Sequence, residues 1–280
     1  MRLACLLASL ALFAAQPVAA QLFDSHVHLW KGEESLRAYE QQVKSAGIAE
    51  TGFGGMWFGG PNQALAGDPA AVRAGNDSII ALAKKHPEML PIATVHPYDG
   101  EAIAELERVA ELGIKVLKLH PHTQKFDAAD PRVLAWVKRA GELKVIVLFD
   151  NASIVPGDCE KLFNLALAAP ATTFIFAHLG GMNFRFWNIL KAAKTAKGLF
   201  ADNIYFDISA TVAILDDSPI RDEFVWTMRN VGIDHILLGS DYPQYSLKQN
   251  VDALNRLNLS EAEKAQIRSG TARTLFRLPR

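Results

Sequence analysis

The segment Phe23-Asp24-Ser25-His26-Val27-His28 carries two histidines at alternate positions. Alternate side chains of an extended strand emerge on one face, so both imidazoles can reach one ion while Val27 turns away. Asp24 shares that face one pleat earlier, where it could orient a ligand from behind. Further groups able to bind metal or move protons recur down the chain: His96, Lys118, His120, Asp150, His178, Asp207, Ser209 and Asp241. Two imidazoles and a carboxylate with one open position suit zinc or a similar divalent ion. Such an ion lowers the pKa of water toward about 7 and polarises a carbonyl. Asp241 could serve as ligand, as general base, or as both. The chemistry expected is metal-activated water attacking an electrophilic carbon. The contrary reading is a set of histidines that only hydrogen-bond to loops.

These residues must be positioned by something, and the hydrophobic pattern says what. Eight apolar, strand-like runs occur at 22–28, 54–58, 92–96, 116–120, 145–149, 173–178, 204–208 and 236–239, with helical stretches between them. Several are β-branched or aromatic along most of their length, as parallel strands covered by helices are. The second run is diluted by Gly52, Gly54 and Gly55. Asp130-Pro131 opens a helix and Gly141 closes it, with Val133, Leu134, Trp136 and Val137 as its apolar face. Ser260-Glu261-Ala262-Glu263 is a capping-box pattern ahead of a last helix carrying Ile267, Ala272, Leu275 and Phe276. Eight strand–helix repeats in one uninterrupted domain, residues 21–280, predict an α/β fold, a single (β/α)8 TIM barrel. An open doubly wound sheet is the alternative. Barrels work at the C-terminal ends of their strands, and six of the eight histidines fall near those ends. His86 is assigned to a helix C-terminus and His235 to structure on the opposite rim.

Residues 1–20 read as a signal peptide: Arg2, an apolar run from Leu3 to Ala15, and a small-residue cleavage site after Ala20. The protein is therefore expected to be secreted or periplasmic. Removing Arg2 from 29 basic against 30 acidic residues leaves a net charge near −2. That balance offers no basic stripe for nucleic acid and no polybasic membrane patch. Cys5 leaves with the leader and Cys159 is then alone, so no internal disulfide is expected. The expected partner is a small-molecule substrate, with a homo-oligomer left open.

Five segments together resemble the amidohydrolase-related branch (amidohydrolase 2) of the amidohydrolase superfamily. They are Asp24–His28, Lys118-Leu119-His120-Pro121, Phe176-Ala177-His178-Leu179-Gly180-Gly181, Leu238-Gly239-Ser240-Asp241-Tyr242-Pro243 and the tail Gly270–Phe276, in order along nearly the whole mature chain. That branch holds metal-dependent hydrolases and decarboxylases related to aminocarboxymuconate semialdehyde decarboxylase. The resemblance implies that His26 and His28 bind the metal, that Asp241 closes the site, and that His178 stabilises charge or shuttles a proton. It implies one ion, zinc or manganese, so Lys118 is not expected to be a carbamylated bridge between two. The family's fifth-strand histidine is missing from Val145-Ile146-Val147-Leu148-Phe149-Asp150-Asn151. Asp150 could replace it as an oxygen ligand, which would favour manganese, or His120 could reach across.

Softer candidates for substrate contact are Trp57, His96, His122 and Arg185, with Phe184, Phe186 and Trp187 as a roof, and the segments 59–69 and 180–187 as specificity loops. The function expected is a metal-dependent hydrolase of an amide, ester or lactone. The alternatives are a non-oxidative decarboxylase of an aromatic or unsaturated carboxylate, and a barrel that binds a ligand without catalysis.

Overall fold

The computed structural model describes residues 22–198 and 200–278; the expected leader, its cleavage site after Ala20 and Cys5 lie outside them. Eight parallel strands pair in sequence order: β1 (Leu22–His28), β2 (Glu50–Met56), β3 (Met89–Ala93), β4 (Val116–Leu119), β5 (Ile146–Phe149), β6 (Phe174–Phe176), β7 (Ile204–Asp207) and β8 (Ile236–Leu237). Helices run between them, and the molecule is a single-domain (β/α)8 barrel. The seam is joined just past β8. Ser25 N donates to Leu238 O, Asp241 N to His26 O and His28 N to Tyr242 O, each at 2.9 Å. No helix among the described residues is long and apolar enough to cross a membrane.

Period-2 alternation divides the core in two. Leu117, Val147, Phe174, Phe176 and Phe206 face outward under the helices. Phe23, Val116, Ile146, Leu148, Ile175 and Leu237 fill the barrel interior together with Ala272 and Phe276 of the final helix Thr271–Phe276. The inward residue following Val116 is Lys118, the one following Leu148 is Asp150, and the one following Tyr205 is Asp207. The barrel is thus apolar at its base and polar at its C-terminal mouth.

The glycines of β2, which dilute its sequence signal, prove necessary for its packing. A Cβ on Gly54 would lie 2.9 Å from Ser25 O and from the Ile92 side chain, and one on Gly55 would meet Met89 Sδ at 2.7 Å. Only glycine lets β1, β2 and β3 approach so closely. Strand ends differ from those expected: β2 and β3 begin and end earlier, and β6 stops at Phe176, leaving His178 in a 3-10 segment, Ala177–Asn188. Helix Pro131–Glu142 starts as expected, with Asp130 accepting from Arg132 N at 2.8 Å. Leu134 is only partly buried there and Ala140 completes the apolar face. The capping box at Ser260 and Glu263 forms in both directions.

β1 is irregular between Asp24 and Val27, and the Asp24 carboxylate meets the backbone N of His26, at 3.2 Å, rather than its ring. It accepts from Ser240 N at 2.8 Å and from Tyr39 Oη at 3.0 Å, and the same hydroxyl reaches Glu50 at 2.8 Å. One phenolic proton cannot serve two ionised carboxylates. Burial, reinforced by Asp24, pushes Glu50 up to about 9, and burial lifts Asp24 to about 6.

Two predictions follow from the core. Phe206 is fully buried against Trp187 and Phe176, with ring centroids 4.9 and 6.1 Å away. Phe206→Ala is expected to cost about 3–5 kcal/mol, read as a lower urea midpoint at unchanged slope. Glu50 binds its proton more tightly folded than unfolded, so its contribution to stability falls as pH rises from 4.5 toward about 9. Glu50→Gln should therefore raise Tm by about 3 °C or more at pH 8 and change it little at pH 4. Equal shifts at the two pH values would contradict this.

Candidate metal centre and catalytic site

The three backbone bonds of the seam also set the site, because His26, His28 and Asp241 all lie on it. His26 Nε2 is 3.2 Å from His28 Nε2 and 3.5 Å from Asp241 Oδ1, and His28 Nε2 is 3.4 Å from that same oxygen. Ligand atoms about 2.0–2.1 Å from a tetrahedral ion stand about 3.3 Å apart, so these three have the spacing of a coordination face.

The proton arrangement points the same way. His28 Nδ1 donates to Phe58 O at 2.6 Å, and His26 Nδ1 donates to Asp207 Oδ2 at 3.0 Å. Burial and the nearby Lys118 hold His26 down to about 4, so it is neutral. With both Nδ1 protons engaged, the two Nε2 lone pairs face each other, an arrangement that a cation relieves. The partner behind His26 is Asp207 rather than Asp24. Metal-binding histidines characteristically give their second N–H to a carboxylate or carbonyl in this way. Lys118 Nζ lies 3.3 Å from His26 Nε2, fully inside the barrel.

His178 completes a second grouping, its ligand atom lying within 4.8 Å of those of His26 and Asp241. Its hydrogen bonds give it a different part. Nδ1 is 3.0 Å from Ser209 O and Nε2 is 3.1 Å from Asp150 Oδ2, and both partners can only accept. Both ring nitrogens therefore carry protons, leaving no lone pair for a metal. Burial alone would lower its pKa; the Asp150 hydrogen bond and charge, helped by Asp241 and Asp207, raise it to about 9. The tighter triangle with His28 has the spacing of a coordination face, and His178, raised in pKa, stands beside it.

Asp150 is engaged by its neighbours. Oδ2 accepts the hydrogen bond from His178 Nε2 and sits 3.5 Å from His120 Nε2, and Oδ1 is 3.3 Å from Ala152 N. Burial works against its ionisation, but the surrounding His120, His178 and Lys118 hold it well below the usual carboxylate range. Burial and the cationic neighbours drive His120 down to about 4. Asp150 and His120 thus form a pair flanking His178, one step out from the three converging atoms.

Asp207 links both histidines. While Oδ2 holds His26, Oδ1 accepts from the backbone N of His178 at 3.2 Å and of Ser209 at 3.0 Å, as well as from the Ser209 hydroxyl. The Ser209 hydroxyl also lies 3.1 Å from His178 Nδ1 and 3.2 Å from His26 Nδ1. Burial opposes its charge, and His26 first, then His178 and Lys118, keep Asp207 below the usual range. Asp241 and His178 adopt positive φ, 63° and 64°. Each such position costs on the order of 1 kcal/mol or more and is fixed by its surroundings. Here these include Asp241 N on His26 O and the Thr211 hydroxyl on His178 O at 2.8 Å.

The softer candidates fall elsewhere. His96 uses both nitrogens internally, on Gln124 O at 2.7 Å and Tyr98 N at 3.1 Å, and is a core residue. Trp57 donates to Asn76 at 2.9 Å and packs on the helix Pro69–Ala83, away from the mouth. Arg185 pairs with Glu223 on the surface, and His122 is exposed, lining a cavity beyond Asp150. Phe184 and Trp187 are buried packing rather than a roof. His86 lies past its helix, among Glu33, Glu40 and Glu88. His235 stacks on Tyr205 at the opposite rim, as expected. Two roles in the site are not legible in the sequence. One is Asp207 as the orienting partner. The other is Gly59, where a Cβ would lie 2.5 Å from His28 Nδ1, a clash the Phe58 O contact cannot survive.

Residues 23–278 match the model of a family described as amidohydrolase. The chain belongs to the amidohydrolase family. No curated protein matches the sequence. Among solved structures, this amidohydrolase is similar to the 2,6-dihydroxybenzoate decarboxylase from Rhizobium (17% identity, TM-score 0.68, 92% of this chain and 98% of that one). It is also similar to a manganese-bound dihydroxybenzoic acid decarboxylase from Polaromonas sp. JS666 (18%, TM-score 0.66, 94% and 98%). A third similar structure, from Pseudomonas putida, is described as a candidate 2-pyrone-4,6-dicarboxylic acid hydrolase (18%, TM-score 0.62, 92% and 98%). At these identities the likeness establishes the shared barrel.

The site geometry yields a further prediction. Asp207→Asn, which weakens the hold on His26, should reduce zinc or manganese affinity by about 10–100-fold in chelator competition, and Gly59→Ala should weaken it by displacing the His28 ring. Unchanged affinity in both would sink the assignment.

Proposed function

We propose that this amidohydrolase hydrolyses an amide, ester or lactone with the help of one divalent ion held by His26, His28 and Asp241. The observation that carries this reading is the triangle of three metal-type donor atoms 3.2–3.5 Å apart with an imidazolium beside it. An ion in that position supplies Lewis acidity, polarising a carbonyl and acidifying water toward neutrality. Two imidazoles and a carboxylate suit zinc, and the manganese in the Polaromonas neighbour supports that metal as well.

The chain's own residues supply the remainder. Burial opposes ionisation of Asp241, but the surrounding histidines, the cationic His178 among them, hold it below the usual carboxylate range, so it can accept a proton from water. His178 lies in the wall of the same cavity and places positive charge beside the oxygen on which negative charge develops. Asp150 keeps that imidazole charged and oriented. Asp207 fixes the tautomer of His26 and the backbone of His178.

A second reading is non-oxidative decarboxylation, favoured by the two benzoate decarboxylases among the structural neighbours. It demands that a carboxylate be held and a carbon protonated, and His178 is the available proton donor. The experiment that separates the readings measures acid release from esters, amides and lactones, and carbon dioxide release from aromatic carboxylates, on metal-loaded protein. Hydrolysis that disappears on chelation, returns with zinc or manganese, and falls by about 100-fold or more in Asp241→Asn is the expected result. Carbon dioxide release alone would establish the decarboxylase. Neither reaction with metal bound would leave a ligand-binding barrel.

A further inference from the structure

Above Asp241 and His178 lies a cavity of about 290 Å³. Its mouth is formed by Ile154, Met182 and Ile214, which are 70%, 63% and 49% exposed. They come from three separate elements: the segment after β5, the 3-10 segment Ala177–Asn188 and the short helix Thr211–Leu215. Large apolar side chains left in water around one opening mark a surface built to be covered. Apart from His178 at its inner end, the cavity's other contributors are neutral or acidic, and no lysine or arginine among the described residues lines it. The lysine side chains are next door. Lys125 and Lys161 line a separate cavity of about 330 Å³ on the far side of Asp150, and Lys161 is paired with Asp127 at 2.9 Å.

We infer that the substrate carries an uncharged apolar body, one ring or a short acyl chain, attached to the group that reacts, and that Ile154, Met182 and Ile214 receive it. This rests on the metal-hydrolase reading, which fixes the reacting group beside Asp241 and His178. The size follows from the volume. A cavity of about 150 Å³ holds a benzene molecule, so roughly twice that space takes one ring, or about six carbons of chain, with the reacting group. His178 is taken up beside the reacting group, so a carboxylate at the substrate's far end finds no counter-ion among Ile154, Met182 and Ile214 at the rim. Continuity with the site argues for substrate over a partner protein, because the apolar mouth and the reacting residues share one cavity.

Hydroxamates bind divalent ions directly, so they report the metal centre and the rim together. Calorimetric titration of zinc-loaded protein would compare acetohydroxamate, hexanohydroxamate, benzohydroxamate and the monohydroxamate of succinic acid. The expected result is at least about tenfold tighter binding of the hexanoyl and benzoyl compounds than of acetohydroxamate, since each buried methylene is worth about 0.8 kcal/mol or roughly fourfold. Ile154→Ser/Met182→Ser, at sites exposed enough for the fold to tolerate it, should remove most of that gain and leave acetohydroxamate within about twofold. Tightest binding by the succinyl compound, or equal binding by all four, would overturn the inference while leaving the metal centre intact. If the double variant changed the oligomeric state and not the affinities, the rim would be a subunit interface and the inference would fall. Failure of all four to bind, or binding unchanged in His26→Ala/His28→Ala, would overturn the metal reading and the inference together.

Discussion

Closure of the barrel is the constraint on which the site depends. β8 contributes only two residues to the sheet, and the join to β1 is made by three backbone hydrogen bonds beyond its end. One of them ties Asp241 N to His26 O. The bond that completes the fold therefore also sets the carboxylate of the last strand against the imidazoles of the first. An error in register at that seam would separate the three donor atoms, so fold and site are specified together.

The second organising element is charge. Asp150, Asp207 and Asp241 stand around His178 and Lys118 at the polar mouth of an otherwise apolar barrel. Buried charges persist when they are paired and hydrogen-bonded, and here Asp150 has the N–H of His178 and Asp207 that of His26. The result is a division of labour among histidines of one residue type. His26 and His28 turn their Nε2 atoms toward Asp241, their Nδ1 atoms being engaged by Asp207 and Phe58 O, while His178, held between a carboxylate and a carbonyl, carries both protons. Environment, not identity, separates ligand from acid.

Much of this was legible in the sequence, for a definable reason. Strand alternation places His26 and His28 on one face, and the ends of apolar runs locate His178, Asp150 and Asp241, so the barrel and the residues near its mouth could be read from local pattern. What could not be read depends on contacts across the barrel or on backbone irregularity. Asp207 meets His26 across 181 positions of chain. The break in β1 turns Asp24 toward Tyr39. Gly59 matters through the space it leaves for an imidazole from another strand. Trp57, His96 and Arg185 each had a suitable side chain near a strand end or loop, yet their partners on Asn76, Gln124 and Glu223 direct them away from the mouth.

The central claim is that one ion sits on His26, His28 and Asp241 while His178 remains a protonated neighbour. An anomalous-difference map from zinc-loaded crystals tests it directly. The account predicts a single peak about 2.0–2.2 Å from Nε2 of His26, Nε2 of His28 and a carboxylate oxygen of Asp241, with His178 still donating to Asp150. A peak coordinated by the His178 imidazole, or one seated between Asp150 and His120 instead, would contradict it.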